Sequence, residues 1–97
     1  MKALELSRRA QIDLDGIRDY STKAWGKTQT KSYLRQIQAV IRSIRVNSNL
    51  GRSADDLRES CRRTKAGAHI VFFCVAGDRV IIIRILHEHM DFAAHLA

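Results

Sequence analysis

The amino-acid sequence predicts an α+β fold in the order β-α-α-β-β-β: an antiparallel-rich sheet with an N-terminal helical hairpin packed on one face and a short C-terminal helix. Three observations carry this. The chain opens with period-two alternation, continues with two adjacent stretches of helical apolar spacing, and returns to strand-like, β-branched segments after residue 60. Its 97 residues suffice for a single domain, read as 1–97. An apolar fraction of 45% and a charged fraction of 28% are those of an ordinary globular protein and argue against disorder.

Lys2 to Ser7 alternates apolar and polar side chains, as a half-buried strand does. Ser7 stands where a helix N-cap belongs. Ala10, Leu14, Ile17 and Ala24 then recur at helical spacing, with Tyr20 beside the stripe and Asp13, Asp15 and Asp19 outward or on its flank. Gly26, after Trp25, ends that helix, because glycine adopts a left-handed C′ conformation without a Cβ penalty. Thr28 caps a second helix running to about Val46, whose apolar face is Tyr33, Leu34, Ile37, Val40, Ile41 and Ile44. The turn-rich stretch 47–53 closes the hairpin. Cys61–Ala66, Ala68–Val75 and Val80–His87 read as a three-stranded meander, the last two central by their β-branched and aromatic density. Asp91 to Leu96 has the length for one closing turn of helix.

No apolar run approaches the roughly 20 residues of a membrane-spanning helix, and the N-terminus lacks the apolar core of a secretory signal. With Cys61 and Cys74 alone there is no disulfide framework and no four-ligand zinc site. A two-residue Gly67-Ala68 loop would set the cysteines opposite each other, but a cytoplasmic address favours two free thiols. The net charge is +7 and unevenly spread. Between Tyr20 and Arg52 there is no acid, whereas Lys23, Lys27, Lys31, Arg35, Arg42, Arg45 and Arg52 supply seven positive charges, the whole excess. Such a field attracts polyanions or an acidic protein.

Particular words narrow the reading further. Leu6-Ser7-Arg8-Arg9-Ala10 is followed by Asp13-Leu14-Asp15-Gly16-Ile17, Tyr20 and Trp25-Gly26. Later come Arg62-Arg63, Gly67-Ala68-His69-Ile70-Val71-Phe72-Phe73, Ile83-Arg84-Ile85-Leu86-His87, Met90-Asp91 and His95-Leu96. In this order and spacing the chain resembles the ParE branch of the RelE/ParE superfamily of toxins, nearly end to end. It departs from the pattern in lacking a proline after the second helix and in carrying Phe73 where tyrosine is common. The resemblance implies the toxin of a type II toxin–antitoxin pair, held by a ParD-like antitoxin, with two toxins per antitoxin dimer or more. It also implies operator DNA engaged only through the antitoxin, and DNA gyrase as a target trapped on cleaved DNA, without catalysis by the toxin and without a cofactor.

The alternative activity is that of the superfamily's ribosome-dependent mRNA endonucleases, for which Arg62, Arg63, Arg84 and His87 are the candidate catalytic residues; a basic nucleic-acid-binding module ranks third. Phosphoryl transfer needs charge stabilisation and a proton shuttle together. In a regular strand Arg84 shares a face with Val80, Ile82 and Leu86, and His87 shares the other with Ile81, Ile83 and Ile85, so the two do not converge. No tyrosine follows Tyr33, so an aromatic acid–base residue is missing from the C-terminal half. His69, His89 and His95 lack metal-ligand spacing. An arginine on an apolar strand needs an anion: Asp13, Asp91 or, by preference, an antitoxin carboxylate. One helical hairpin covers one sheet face, so a partner segment is expected on the other. Lys31, Arg35, Arg42, Val80, Ile82, Arg84 and Leu86 are the expected antitoxin contacts.

Overall fold

Ser7 begins the first helix by two different bonds. In the computed structural model, which describes residues 2–96, its hydroxyl accepts from the Ala10 N–H (3.0 Å) and donates to the Ile83 carbonyl (2.8 Å). The same atom therefore caps α1 (Arg8–Trp25) and ties it to the last strand, β5 (Arg79–His87). Gly26, at φ +86°, ends α1 and also serves as the N-cap of α2 (Lys27–Val46). Thr28 consequently lies inside the helix rather than capping it. A glycine in this conformation reverses the chain in one residue and leaves no room for a separate cap, and Thr30 bonds back to the Gly26 carbonyl (2.8 Å). On α1 the buried stripe is Ala10, Ile17 and Ser21; Ala24 is exposed.

The sheet is completed by β1 (Ala3–Leu6), β2 (Arg52–Ser53), β3 (Cys61–Ala66) and β4 (His69–Ala76), in the order β1-β5-β4-β3-β2. The β1–β5 pair is parallel and the others antiparallel. α3 (Phe92–Leu96) closes the chain, with the Asp91 carboxylate accepting from the Ala94 N–H (3.4 Å).

The sheet departs from regularity at one consequential place. Phe73 pairs with Ile82 and Phe72 with Arg84, so Ile83 is an extra residue in β5. A bulge of this kind exchanges the faces of all residues beyond it. Val80 and Ile82 lie under the helices with Ile85, while Ile81, Ile83 and Leu86 belong to the opposite cluster. The expected grouping of Val80, Ile82, Arg84 and Leu86 is thus split between two faces, and of the residues expected beside His87 only Ile85 shares its side. The ladder bonds lost at the bulge are replaced from α1: Ser7 takes the Ile83 carbonyl, and Asp13 accepts from the Ile85 N–H (2.9 Å).

Two cores result. Ile37, Ile41 and Ile44 of α2 pack with Ala10 and Ile17 of α1 against Val71, Phe73, Val80, Ile82 and Ile85. On the other face Phe72, Ile83, Leu86 and Cys61 are covered by Ala54, Leu57, Phe92 and Leu96. The second face therefore receives its cover from the chain itself, chiefly the 54–57 turn and α3, with Phe72 and Phe92 edge to face at 5.0 Å. Each of Phe72 and Phe73, fully buried, contributes about 1.5–3 kcal/mol by removal from water. The cysteines are not the free thiols expected. The two-residue turn at Gly67-Ala68 sets Cys61 opposite Cys74 at a Cα–Cα distance of 4.1 Å, and a disulfide joins them.

That turn also positions α2. Gly67 has φ +62°, and a Cβ there would meet the Tyr33 ring at 2.5 Å. Gly67→Ala is expected to cost about 2–3 kcal/mol, combining left-handed strain with overpacking. A drop in melting temperature of about 10 °C or more is the measurement that checks it; an unchanged value would show that the turn yields freely.

Candidate functional site

A cleft of about 560 Å³ opens between α1, the start of α2, the start of β4 and the end of β5, away from the turn that joins those two strands. Its walls are Ile12, Gly16 and Tyr20 of α1, Trp25 at the helix junction and Met90 after β5; Tyr33, His69 and His87 supply its polar groups. Large apolar side chains are normally withdrawn from water, so where they stay exposed is informative. Five do so among the described residues: Ile12 (58%), Tyr20 (70%), Trp25 (51%), Met90 (38%) and Val46. All but Val46 line this one cleft.

The polar groups are held in a chain. The Tyr33 hydroxyl accepts from the Ala68 N–H (2.9 Å) and lies 2.6 Å from His69 Nδ1. The hydroxyl is also within donor reach of the Ala66 carbonyl (3.4 Å), and the tautomer of His69 decides which group donates in the Tyr33–His69 bond. His69 and His87 are cross-strand partners with ring centroids 5.3 Å apart. Burial raises the Tyr33 hydroxyl above its usual pKa, with the Glu88 charge adding to it and the Ala68 bond opposing. Burial, and then the charge of His87, lower His69 below the ordinary 6.5.

A depressed histidine opposes folding in acid. Above pH 6.5 His69 is neutral in both states and contributes nothing. As pH falls below that value the unfolded chain takes the proton first, and stability is lost until the folded-state pKa is passed. Urea midpoints at successive pH values should show this loss, and His69→Gln should remove part of it; an identical profile in the variant would exclude His69 as its source.

The residues anticipated from sequence are dispersed. Arg62 donates to the carbonyls of Asn49 (2.9 Å), Leu50 (3.2 Å) and Gly51 (2.8 Å) and holds that loop. Arg63 pairs with Asp56 at 3.2 Å. Arg63 and Arg84 sit in one cross-strand row on the second face, with Phe72 between them, whereas Arg62 is in register with Phe73 and Ile82, and His87 with His69. The four candidates for catalysis therefore do not meet. Arg84 has its anion within the chain: it grips Asp13 through Nε (2.9 Å) and Nη2 (3.0 Å), and its Nη1 donates to the His95 carbonyl (3.2 Å). Of the three anions expected for it, Asp13 is the one it meets, so Arg84 is satisfied without an external carboxylate. Val80, Ile82 and Leu86 are buried and present no side chain to a partner. Lys31, Arg35 and Arg42 are exposed on α2. No cluster of metal-binding side chains occurs among the described residues, nor a helix long and apolar enough to cross a membrane.

Sequence reasoning missed the Tyr33–His69–His87 group because its members are 36 and 18 residues apart and on three elements. The one local hint was Gly67, whose missing Cβ admits the tyrosine ring.

Comparison with known proteins gives this arrangement its relatives. The family described as "ParE toxin of type II toxin-antitoxin system, parDE" matches residues 4–92. Toxin ParE1 of Caulobacter vibrioides is 46% identical over 96 residues, covering 99% of both chains. Toxin ParE of Escherichia coli is 30% identical over 99 residues, covering 100% of this chain and 95% of the other. Among solved structures, a chain of the chromosomal ParDE toxin–antitoxin system from P. aeruginosa shares the fold with a TM-score of 0.79 at 22% identity, over 90% of this chain and 96% of that one. With its strand, helical hairpin and meander in place and relatives matching almost its full length, the chain belongs to the ParE toxin family of type II toxin–antitoxin systems.

Proposed function

We propose that this toxin is neutralised by a ParD-like antitoxin and that, when free, it inhibits DNA gyrase by trapping the enzyme on cleaved DNA. The antitoxin inserts apolar anchors into the cleft between α1, the start of β4 and the end of β5. The observation that carries this reading is the convergence of Ile12, Tyr20, Trp25 and Met90 on one concave surface. Exposed aromatic and methionine side chains around a pocket are the usual makings of a protein-binding hot spot. The solved P. aeruginosa neighbour comes from a toxin–antitoxin system of the same type, which supports an antitoxin partner here. In this reading the toxin acts in the cytoplasm, by contact rather than catalysis, and an antitoxin dimer carries two copies of it.

The test uses the purified, antitoxin-free chain with gyrase, ATP and supercoiled plasmid, followed by detergent and protease. Linear DNA that disappears when antitoxin is added is the expected result. Its absence with gyrase of the native host would overturn the gyrase target, and cleavage of mRNA on translating ribosomes would then be the assay to run.

A further inference from the structure

The outer face of α2 is independent of the cleft. Lys27, Lys31, Arg35, Arg42 and Arg45 are all exposed. At 3.6 residues per turn they fall within an arc of about 80°, and at 1.5 Å per residue they extend over about 27 Å. Tyr33, the α2 residue that lines the cleft, lies about 160° away around the same axis. None of the five takes part in an ion pair among the described residues. Arg45 donates to the Lys2 carbonyl (2.9 Å), which leaves its charge uncompensated. Like charges held at such spacing repel, and the helix tolerates them through its buried Ile37, Ile41 and Ile44.

The chemistry of the arc identifies what it fits. Gln38 is the other residue within it, and exposed Thr28, Ala39 and Val46 stand along its edge. Lysine, arginine and glutamine are side chains that bond phosphate oxygens. A protein partner would need apolar or aromatic anchors; within the charged arc there is none, and exposed Val46 stands alone at its C-terminal edge. One strand of a DNA duplex presents a phosphate every 3.4 Å or so along the axis, so a stripe of about 27 Å runs beside about eight of them.

We propose that the Lys27–Arg45 stripe of α2 is a sequence-independent binding surface for the phosphate backbone of duplex DNA. This reassigns Lys31, Arg35 and Arg42 from the expected antitoxin contacts. It gives the toxin a grip on DNA distinct from its cleft, so that a protein and a duplex can be held at once.

Binding of the isolated chain to a fluorescent duplex of about 20 base pairs tests this without gyrase, from about 50 to about 200 mM salt. Five phosphate contacts predict a log–log salt slope of about −4.5, or roughly a 500-fold loss of affinity across that range, with duplexes of unrelated sequence behaving alike. Replacing Lys31, Arg35 and Arg42 together by Gln should bring the slope to about −2. Replacing Arg8, Arg9 and Arg58 by Gln removes the same charge from elsewhere on the exposed surface and should leave the slope unchanged. Equal slopes in the two triple variants would show net charge and not a surface, and overturn the proposal. Absence of binding at the lowest salt would do so too, as would polyglutamate displacing the duplex at equal charge, which would favour an acidic polypeptide. Urea midpoints close to the parent's in both variants establish that each is folded.

Discussion

Arg84→Met should lower stability by about 3–5 kcal/mol, the cost typical of leaving one partner of a buried ion pair alone. Arg84 and Asp13 are each nearly withdrawn from water, and the guanidinium meets the carboxylate with two parallel bonds. The Asp13 hydrogen bond, opposed by desolvation, raises the Arg84 pKa further above its already high value, so the cation persists at any working pH. In Arg84→Met, Asp13 keeps the Ile85 N–H as a donor and loses its counter-charge. The His95 carbonyl loses a donor as well, which loosens α3 and uncovers Phe72. Urea unfolding measures the first effect and dye binding to exposed apolar surface the second. Combined with Asp13→Leu, the substitution should cost much less than the sum of the single losses, because an apolar pair of similar volume removes both charges. A loss below about 1 kcal/mol in Arg84→Met would mean that water reaches the pair and screens it.

Trp25→Ala should weaken antitoxin binding by about 2 kcal/mol or more, about 30-fold in Kd, with little change in folding stability. Half of the indole is already exposed in the free chain, so its loss removes little buried area from the fold. Gly16→Leu supplies the complementary test. A Cβ at position 16 meets nothing within 4 Å, and the residue lies in the wall of the cleft. The larger side chain should stabilise α1 by up to about 1 kcal/mol while filling space in the cleft proposed for the antitoxin. A variant more stable yet weaker in binding separates the cleft's role in recognition from any role in folding. Titration calorimetry with the purified antitoxin reads both variants, and unchanged affinity in both would move the interface off this surface.

The helices and strands were legible because each is a local pattern. Ser7 and Gly26 mark the limits of α1 by capping chemistry, and the apolar spacing of α2 and the β-branched density of β4 and β5 follow from which face each must bury. The family was legible too, and its match runs over residues 4–92, nearly the whole chain. The site was less so. Trp25 and Tyr20 were visible as residues and Met90 as part of a motif, but that they share one cleft depends on the angle between α1 and the sheet end.

What escaped was decided by partners distant in the chain. Strand alternation assumes an unbroken ladder, and one extra residue, Ile83, reversed the faces beyond it; the carbonyl and N–H thus freed are satisfied by Ser7 and Asp13, more than 70 positions earlier. Likewise the choice of Asp13, over Asp91 or an outside carboxylate, as the anion for Arg84 is made across 71 positions, and the histidine facing Tyr33 is 36 away. Periodicity records which side of an element is apolar, a property of neighbours in sequence. The register of a ladder, the pairing of buried charges and the closing of Cys61 onto Cys74 are set by which backbone and side-chain groups find one another once water is excluded.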